Sequence, residues 1–270
     1  LKNYYWFFIN LNDLILGYKK TMRKREKGLV SIIMPCFNSA ITIEQAIRSV
    51  LNQDYTNWEL LVVDDSSYDN SISIIESFLS DSRIKLTLLD KNKGVANARN
   101  TAISASLGEY ISFLDADDIW ASQKLSSQLS VLNSGISDCV HSSYYRFDKE
   151  SIKFRECRLT VSYRDMRLHN FIGNLTGMYN AEKLGVFYQK KIGHEDYLMW
   201  LEIIHKSNYS VGVLQPLAFY RMQQGSISSN KLKSLKWSFG VLRQKYSVLL
   251  SMYFFSRHLL YVISDFVKER

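Results

Sequence analysis

Hydrophobic positions in the middle of the chain fall into short continuous runs separated by stretches of helical spacing. The runs are "LVSIIMPCF" at 29–37, "WELLVVDD" at 58–65, "IKLTLLD" at 84–90 and "EYISFLDADD" at 109–118. Between them stand "TIEQAIRSVLNQ", "NSISIIESFLS" and "GVANARNTAISASLG", which carry helical patterns. Apolar runs of this length without strict alternation read as strands buried on both faces. Their alternation with helices predicts an α/β fold: an open, mostly parallel, Rossmann-like sheet covered by helices on both sides. Ligands of such sheets bind beyond the carboxyl ends of the strands. Three polar clusters lie there, "PCFNS" after the first predicted strand, "DDSSYD" after the second and "DADD" after the fourth.

The two ends of the chain differ from this body. Residues 1–28 set an aromatic, apolar stretch before the basic cluster Lys19, Lys20, Arg23, Lys24, Arg25 and Lys27. Asn10, Asn12 and Asp13 interrupt the stretch too often for a bilayer span, and it lacks the basic start and cleavage site of a signal peptide. Two readings remain open for it: a segment lying on an anionic membrane surface, or a helix packed on the body beside a solvated charge run. Residues 231–270 are helical in propensity and rich in aromatics, with Arg257 and His258 breaking the longest apolar stretch. They suit either a helix pair packed on the body or a membrane-associated segment.

Composition narrows the class. With 46% hydrophobic and 22% charged residues the chain is globular material, and 2 prolines and 12 glycines leave no linker-like stretch. Cys36, Cys139 and Cys157 have no metal-ligand spacing and fit a reducing compartment. A formal charge of +8 admits nucleic acid, an anionic membrane or an anionic substrate as partner. No nucleic-acid recognition motif accompanies the charge, so no nucleic-acid partner is expected.

Against this basic background, "FLDADDIW" at 113–120 concentrates three carboxylates in four positions. Helix capping accounts for one acid per helix start: Asp64 or Asp65 for a helix beginning near Asn70, Asp118 for one beginning near Trp120. Asp115 and Asp117 are left over, and close carboxylates repel unless a cation or proton intervenes. Hard oxygen ligands suit Mg²⁺ or Mn²⁺, which keep coordination positions open for substrate phosphates.

Taken together, "VSIIMPCFN", "VVDDSSYD", "KNKGVANARNTAI", "FLDADD" and "GHEDYLMW" resemble, in order and spacing, the inverting family 2 glycosyltransferases of GT-A fold, in the bacterial branch that builds O-antigens, capsules and other surface polysaccharides. The resemblance spans residues 29–230 and implies a nucleotide-binding half over 29–120 and an acceptor half over 121–230. It implies that Pro35, Phe37 and Asn38 shape a nucleotide pocket, that Asp65 hydrogen-bonds the base or ribose, and that Arg99 faces the diphosphate. Asp115 would sit by the ribose or donor sugar, Asp117 would ligate the metal, Asp196 would be the catalytic base, and Glu195 would stand beside it near the acceptor. Arg221 belongs to a segment that closes over the donor diphosphate in the family, where many members carry a histidine at the position of Gln223. The implied reaction takes a hexose, glucose or galactose, from a UDP-sugar to an undecaprenyl-diphosphate-linked sugar, with inversion, by a peripheral enzyme at the cytoplasmic membrane face. Read without the resemblance, Asp196 is an acid in the first turn of a helix, where the dipole favours it. A sugar-phosphate nucleotidyltransferase would also pair an α/β sheet with acid-bound Mg²⁺, but "MPCFNSA" is not the glycine- and lysine/arginine-rich phosphate loop expected of one. A non-catalytic nucleotide-sugar-binding module is the third reading.

Overall fold

A computed structural model describes residues 24–222 and 231–268. Lys19, Lys20 and Arg23 of the basic cluster, and Gln223, lie outside the described residues. Within them, β1 (Glu26–Cys36), β2 (Trp58–Asp64), β3 (Ile84–Leu88) and β4 (Gly108–Phe113) run parallel in the order β3–β2–β1–β4. Helices α1 (Ile43–Leu51), α2 (Ser71–Glu76) and α3 (Val95–Ala105) make the crossovers. The expected strand–helix alternation is thus realised. Its parallel direction puts the loops after β1, β2 and β4 on one edge.

The second half is mixed. It comprises β5 (Ile119–Trp120), α4 (Lys124–Asn133), β6 (Cys139–Phe147), β7 (Ile152–Arg155), β8 (Thr160–Ser162), α5 (Tyr163–Met166), β9 (Met178–Asn180), α6 (Ala181–Leu184), α7 (Glu195–Ser207) and β10 (Tyr209–Arg221). The three-residue β9 pairs antiparallel with both β4 and β6, so both halves belong to one ten-stranded sheet. Two helices follow, α8 (Lys231–Lys245) and α9 (Val248–Lys268).

Strand alternation divides the interior into two cores. Val30, Ile32 and Met34 of β1 face one side, where Ile43, Ala46, Ile47 and Val50 of α1 lie against them at i, i+3, i+4 and i+7. Each of the Val, Ile and Met side chains among them contributes about 1.5–3 kcal/mol on full burial. Ile33 points the other way, toward Ala98 and Ala102 of α3, Trp200 and Leu201 of α7 and Val241 of α8. The first C-terminal helix is therefore packed on the body.

Two sequence boundaries shift. Residue 28 lies inside β1, and Arg25 of the basic cluster donates from Nη1 to Gly108 O at 2.8 Å and to Ser106 Oγ at 3.2 Å, tying the start of β1 to β4. The helix expected near Trp120 begins only at Lys124. Ile119 and Trp120 instead form β5, because they pair with Phe219 and Ala218 of β10.

Candidate active site

The loops after β1 and β2 are knitted together. Asn38, at φ +48°, tolerates a left-handed conformation that suits Asn. Its N–H donates to Ser67 Oγ at 2.9 Å and its Oδ1 accepts from Tyr68 N at 3.1 Å. Asp64 fixes the second loop by accepting from Ser67 N and Ser67 Oγ at 2.8 and 2.5 Å. Phe37, 43% exposed, meets Tyr68 edge to face with centroids 6.0 Å apart. Asp65 is buried and accepts from Lys93 N at 2.8 Å and Gly94 N at 2.7 Å. Gly94 sits at φ +92°, a conformation open to glycine, and opens α3. Neither Asp64 nor Asp65 caps α2, whose N-cap Asn70 makes no side-chain cap bond. The capping account of this cluster is overturned.

These loops wall a cavity of about 1370 Å³ lined by Pro35, Phe37, Asn38, Asp65, Gly94, Asp115, Asp117 and Arg221, among others, with Asp148, Lys149 and Glu150 of the β6–β7 turn at its rim. Residues as far apart in the chain as Pro35 and Arg221 thus share one space, as the strand-end argument expected.

The three carboxylates after β4 have different fates. Asp115 receives two 2.7 Å bonds from Nη2 of Arg99, whose Nη1 donates to Gln189 Oε1 at 3.0 Å. Arg99 is buried, and burial opposes its charge while Asp115, Asp196 and Glu195 favour it. Its guanidinium is thus occupied by Asp115 and Gln189, not turned wholly toward a diphosphate. Asp118 accepts from Arg221 N at 2.9 Å and caps no helix; burial, then Asp117 and Asp115, push its carboxyl well up. Asp117 is raised from 3.8 to about 6, first by burial and then by Asp115, with Arg221 and Arg99 opposing. Arg221 braces this loop: Nε donates to Asp117 O at 2.8 Å, Nη2 to Gln45 Oε1 at 2.7 Å, and the guanidinium lies 4.6 Å from the Phe147 ring centre.

Asp196 lies in the first turn of α7, as the sequence implies. The N-cap is His194, which makes no side-chain cap bond. Asp196 Oδ2 instead accepts from Asn170 Nδ2 at 3.1 Å, across the acceptor half. Burial raises its carboxyl above the ordinary value, while Arg99 and His194 pull it down and Asp115 adds to the rise. Arg99, Glu195 and Asp196 are not among the residues lining the cavity; Arg99, which grips Asp115 on the cavity wall, is the charge that acts on Asp196 from that side.

Four residues of this assembly are not singled out by any sequence motif. Gln189 and Asn170 are single polar residues in loops, and their roles come from partners 90 and 26 positions away. Ser234 and Trp237 of α8 close over the start of α7. His194 Nε2 lies 3.0 Å from Ser234 Oγ, and a Cβ on Gly193, at φ +107°, would fall 2.3 Å from the Trp237 ring. The glycine before His194 was the visible trace of that close approach. Among the described residues, no group of three or more His, Cys, Asp or Glu could hold a metal ion.

An α/β sheet with acids and an arginine around a cavity at its strand ends is the architecture of a nucleotide-sugar enzyme, and residues 31–192 match the family model "Glycosyl transferase family 2". The chain belongs to that family. It is 42% identical over 219 residues to the UDP-Glc:alpha-D-GlcNAc-diphosphoundecaprenol beta-1,3-glucosyltransferase WfgD of Escherichia coli, covering 79% of this chain and 85% of WfgD. WfaP of Escherichia coli, which carries the same activity in its name, is 33% identical over 217 residues, covering 80% of this chain and 86% of WfaP. Of solved structures, S. aureus TarS 1–349 with UDP-GlcNAc superposes with a TM-score of 0.68 at 21% identity, covering 85% of this chain and 71% of TarS 1–349. That last likeness is one of fold. Membership in the family sets aside the nucleotidyltransferase reading.

Proposed function

We propose that this chain transfers glucose from UDP-glucose to N-acetylglucosamine carried on undecaprenyl diphosphate, forming a β-1,3 linkage in bacterial surface polysaccharide such as O-antigen. The observation that carries donor, acceptor and linkage is the 42% identity to WfgD across 85% of that protein. The reading includes work at the cytoplasmic face of the inner membrane by a peripherally bound protein, which a lipid-linked acceptor supports; no helix among the described residues is long and apolar enough to cross a membrane.

The chemistry follows from the convergence around Arg99. Phe37, Asn38 and Pro35 wall the nucleotide side, and Asp65 keeps the 93–94 backbone against it. Asp115, held by two bonds from Arg99, is a fixed acceptor for donor hydroxyls. Asp196 takes the proton of the acceptor hydroxyl. Its raised carboxyl is a stronger base than an ordinary aspartate once ionised, and proton transfer is most effective late in the displacement, when that hydroxyl has become acidic. Direct displacement at the α-linked anomeric carbon gives the β product. Glu195, the preceding residue in the same first turn, would face the acceptor.

A divalent cation fits this residue set. Asp117 is a half-buried carboxyl on the cavity wall, raised first by burial and then by Asp115, while Asp115 is held by Arg99. Asp117 would therefore hold Mg²⁺ or Mn²⁺ alongside substrate phosphates. Such an ion neutralises charge developing on the departing diphosphate. Arg221 stiffens the Asp117 backbone and borders the same cavity.

The test is a donor screen with purified protein and a synthetic N-acetylglucosamine diphosphate lipid. UDP-glucose with Mn²⁺ should give a β-1,3 disaccharide, and excess EDTA should stop the reaction. A productive UDP-galactose in place of UDP-glucose, an α linkage, or full activity in EDTA would each overturn the corresponding part.

A further inference from the structure

The second helix of the C-terminal pair, α9, is apolar on two faces. Its inner face buries Ser251, Phe254 and His258 against the body. Its outer face leaves Leu249 80%, Leu260 68%, Ile263 61% and Met252 56% exposed, with Val248 and Tyr253 also open. At 100° per residue these six positions cover an arc of about 140°. From Val248 to Ile263 the arc runs about 22 Å along the helix.

We propose that this outer face of α9 is the protein's bilayer contact, lying flat in the interface of an anionic phospholipid membrane. Three observations select lipid over a second copy of the chain. The arc is wider than the narrow seam of two positions per heptad through which paired helices meet, and suits a helix half-sunk in an interface. By sequence, residues 231–268 of the two helices hold seven basic residues, Lys231, Lys233, Lys236, Arg243, Lys245, Arg257 and Lys268, against the single acid Asp265; with Lys245 paired to Glu202 of α7 the balance is still strongly positive, which complements anionic headgroups and would repel a copy of itself. Arg257 lies at the arc's edge, its Nη1 3.4 Å from Tyr253 Oη, so a cation and an amphipathic ring border the apolar strip as they do at a membrane interface.

The inner face connects this contact to the chemistry. His258 Nδ1 lies 2.7 Å from Leu168 O, and Tyr261 packs against His169 and Phe171 with centroids 5.1 and 5.2 Å apart. Asn170, within that loop, donates to Asp196. One loop thus separates the lipid-facing helix from the α7 carboxylate, a short path for an acceptor sugar tethered to the bilayer. The choice of occupant rests on the lipid-linked acceptor proposed above.

The test is flotation of the full chain with vesicles of phosphatidylethanolamine and phosphatidylglycerol, with phosphatidylcholine vesicles as the uncharged control. The wild type should float with the anionic vesicles and more weakly with the control. The double variant Leu249→Gln, Leu260→Gln should partition at least about tenfold less, since each change removes a leucine from the apolar phase. UDP binding and helix content are measured alongside to show that the variant is folded. A polarity-sensitive dye on Ser256→Cys, at the centre of the arc, should shift blue when anionic vesicles are added, without any polar insertion. Transfer to a vesicle-embedded acceptor should fall in the double variant, and transfer to a short water-soluble acceptor should not. No flotation of the wild type, undiminished flotation of the folded double variant, or an unshifted dye would overturn the assignment. So would a wild-type dimer that the double variant dissociates while flotation is unchanged, since a second copy would then cover the face. Flotation and dye shift need no turnover: failure of the glucosyltransferase reading would appear as absent transfer on both acceptors, with membrane binding intact.

Discussion

Replacing Asp117 by Asn should make the ligand-free protein more stable while removing its ability to hold a metal–nucleotide complex. In the folded state the carboxyl is raised from 3.8 to about 6 by burial and by Asp115. A rise of that size corresponds to about 3 kcal/mol against the ionised form. Residual solvent contact of this half-buried group screens part of it, leaving about 1–3 kcal/mol. The sign follows from linkage. Below 3.8 the group is protonated in both states and contributes nothing. As pH climbs from there through about 6, the unfolded chain releases its proton first, so the native state loses stability, and the full penalty is present above. Asn carries no such charge. For a chain of this size about 1–3 kcal/mol is about 2–8 °C in Tm. Thermal unfolding of both proteins without metal should therefore give similar Tm values near pH 4 and a higher Tm for Asp117→Asn near pH 8. Adding UDP with Mn²⁺ should raise the wild-type Tm and leave the variant unmoved. Equal Tm values at both pH values would refute the electrostatic account, and a variant stabilised by UDP and Mn²⁺ as strongly as the wild type would refute the metal role.

Asp196→Asn should retain UDP binding while transfer falls by about 10²–10⁴-fold, and the wild-type acid limb of kcat/KM should lie above the range of an ordinary carboxylate because burial raises this group; an active Asn variant, or a rate flat down to pH 4, would return the residue to a structural role. Arg99→Lys keeps the charge but loses the two-bond grip on Asp115 and the Gln189 contact, so it should cost about 1–3 kcal/mol of stability and at least about tenfold in turnover, read by denaturant unfolding and by the transfer assay. Unchanged turnover in that variant would mean that Asp115 needs no fixed orientation.

What could be read from the sequence was whatever periodicity and strand ends determine. Buried parallel strands are nearly uniform in apolarity, so β1, β2 and β4 announced themselves, and their shared direction carried Phe37, Asp65, Asp115 and Asp117 to one edge without knowledge of any contact. The mixed half was harder to read for a physical reason. A strand of two or three residues has too little pattern of its own and exists by its partners: β5 by Ala218 and Phe219, β9 by β4 and β6. That is why a helix was expected at Trp120 and why Asp118, read as its cap, proves to hold the Arg221 backbone instead.

Asp196 is a residue whose role its place in the sequence leaves open and its surroundings bear on. An acid in a first helical turn is equally suited to a cap, to the helix dipole and to proton transfer, and all three call for the same residue at the same position. They differ in what they do to the carboxyl. A cap accepting helix N–H groups at the positive end of the dipole would be held below its ordinary value. Asp196 lies in that field and beside Arg99 and His194, which also lower it, yet its carboxyl is raised. Burial therefore outweighs the stabilising groups together. An acid kept there against that cost, with Asn170 fixing one of its oxygens, suits the proton-accepting role proposed for it better than that of securing a helix end that uses no side-chain cap.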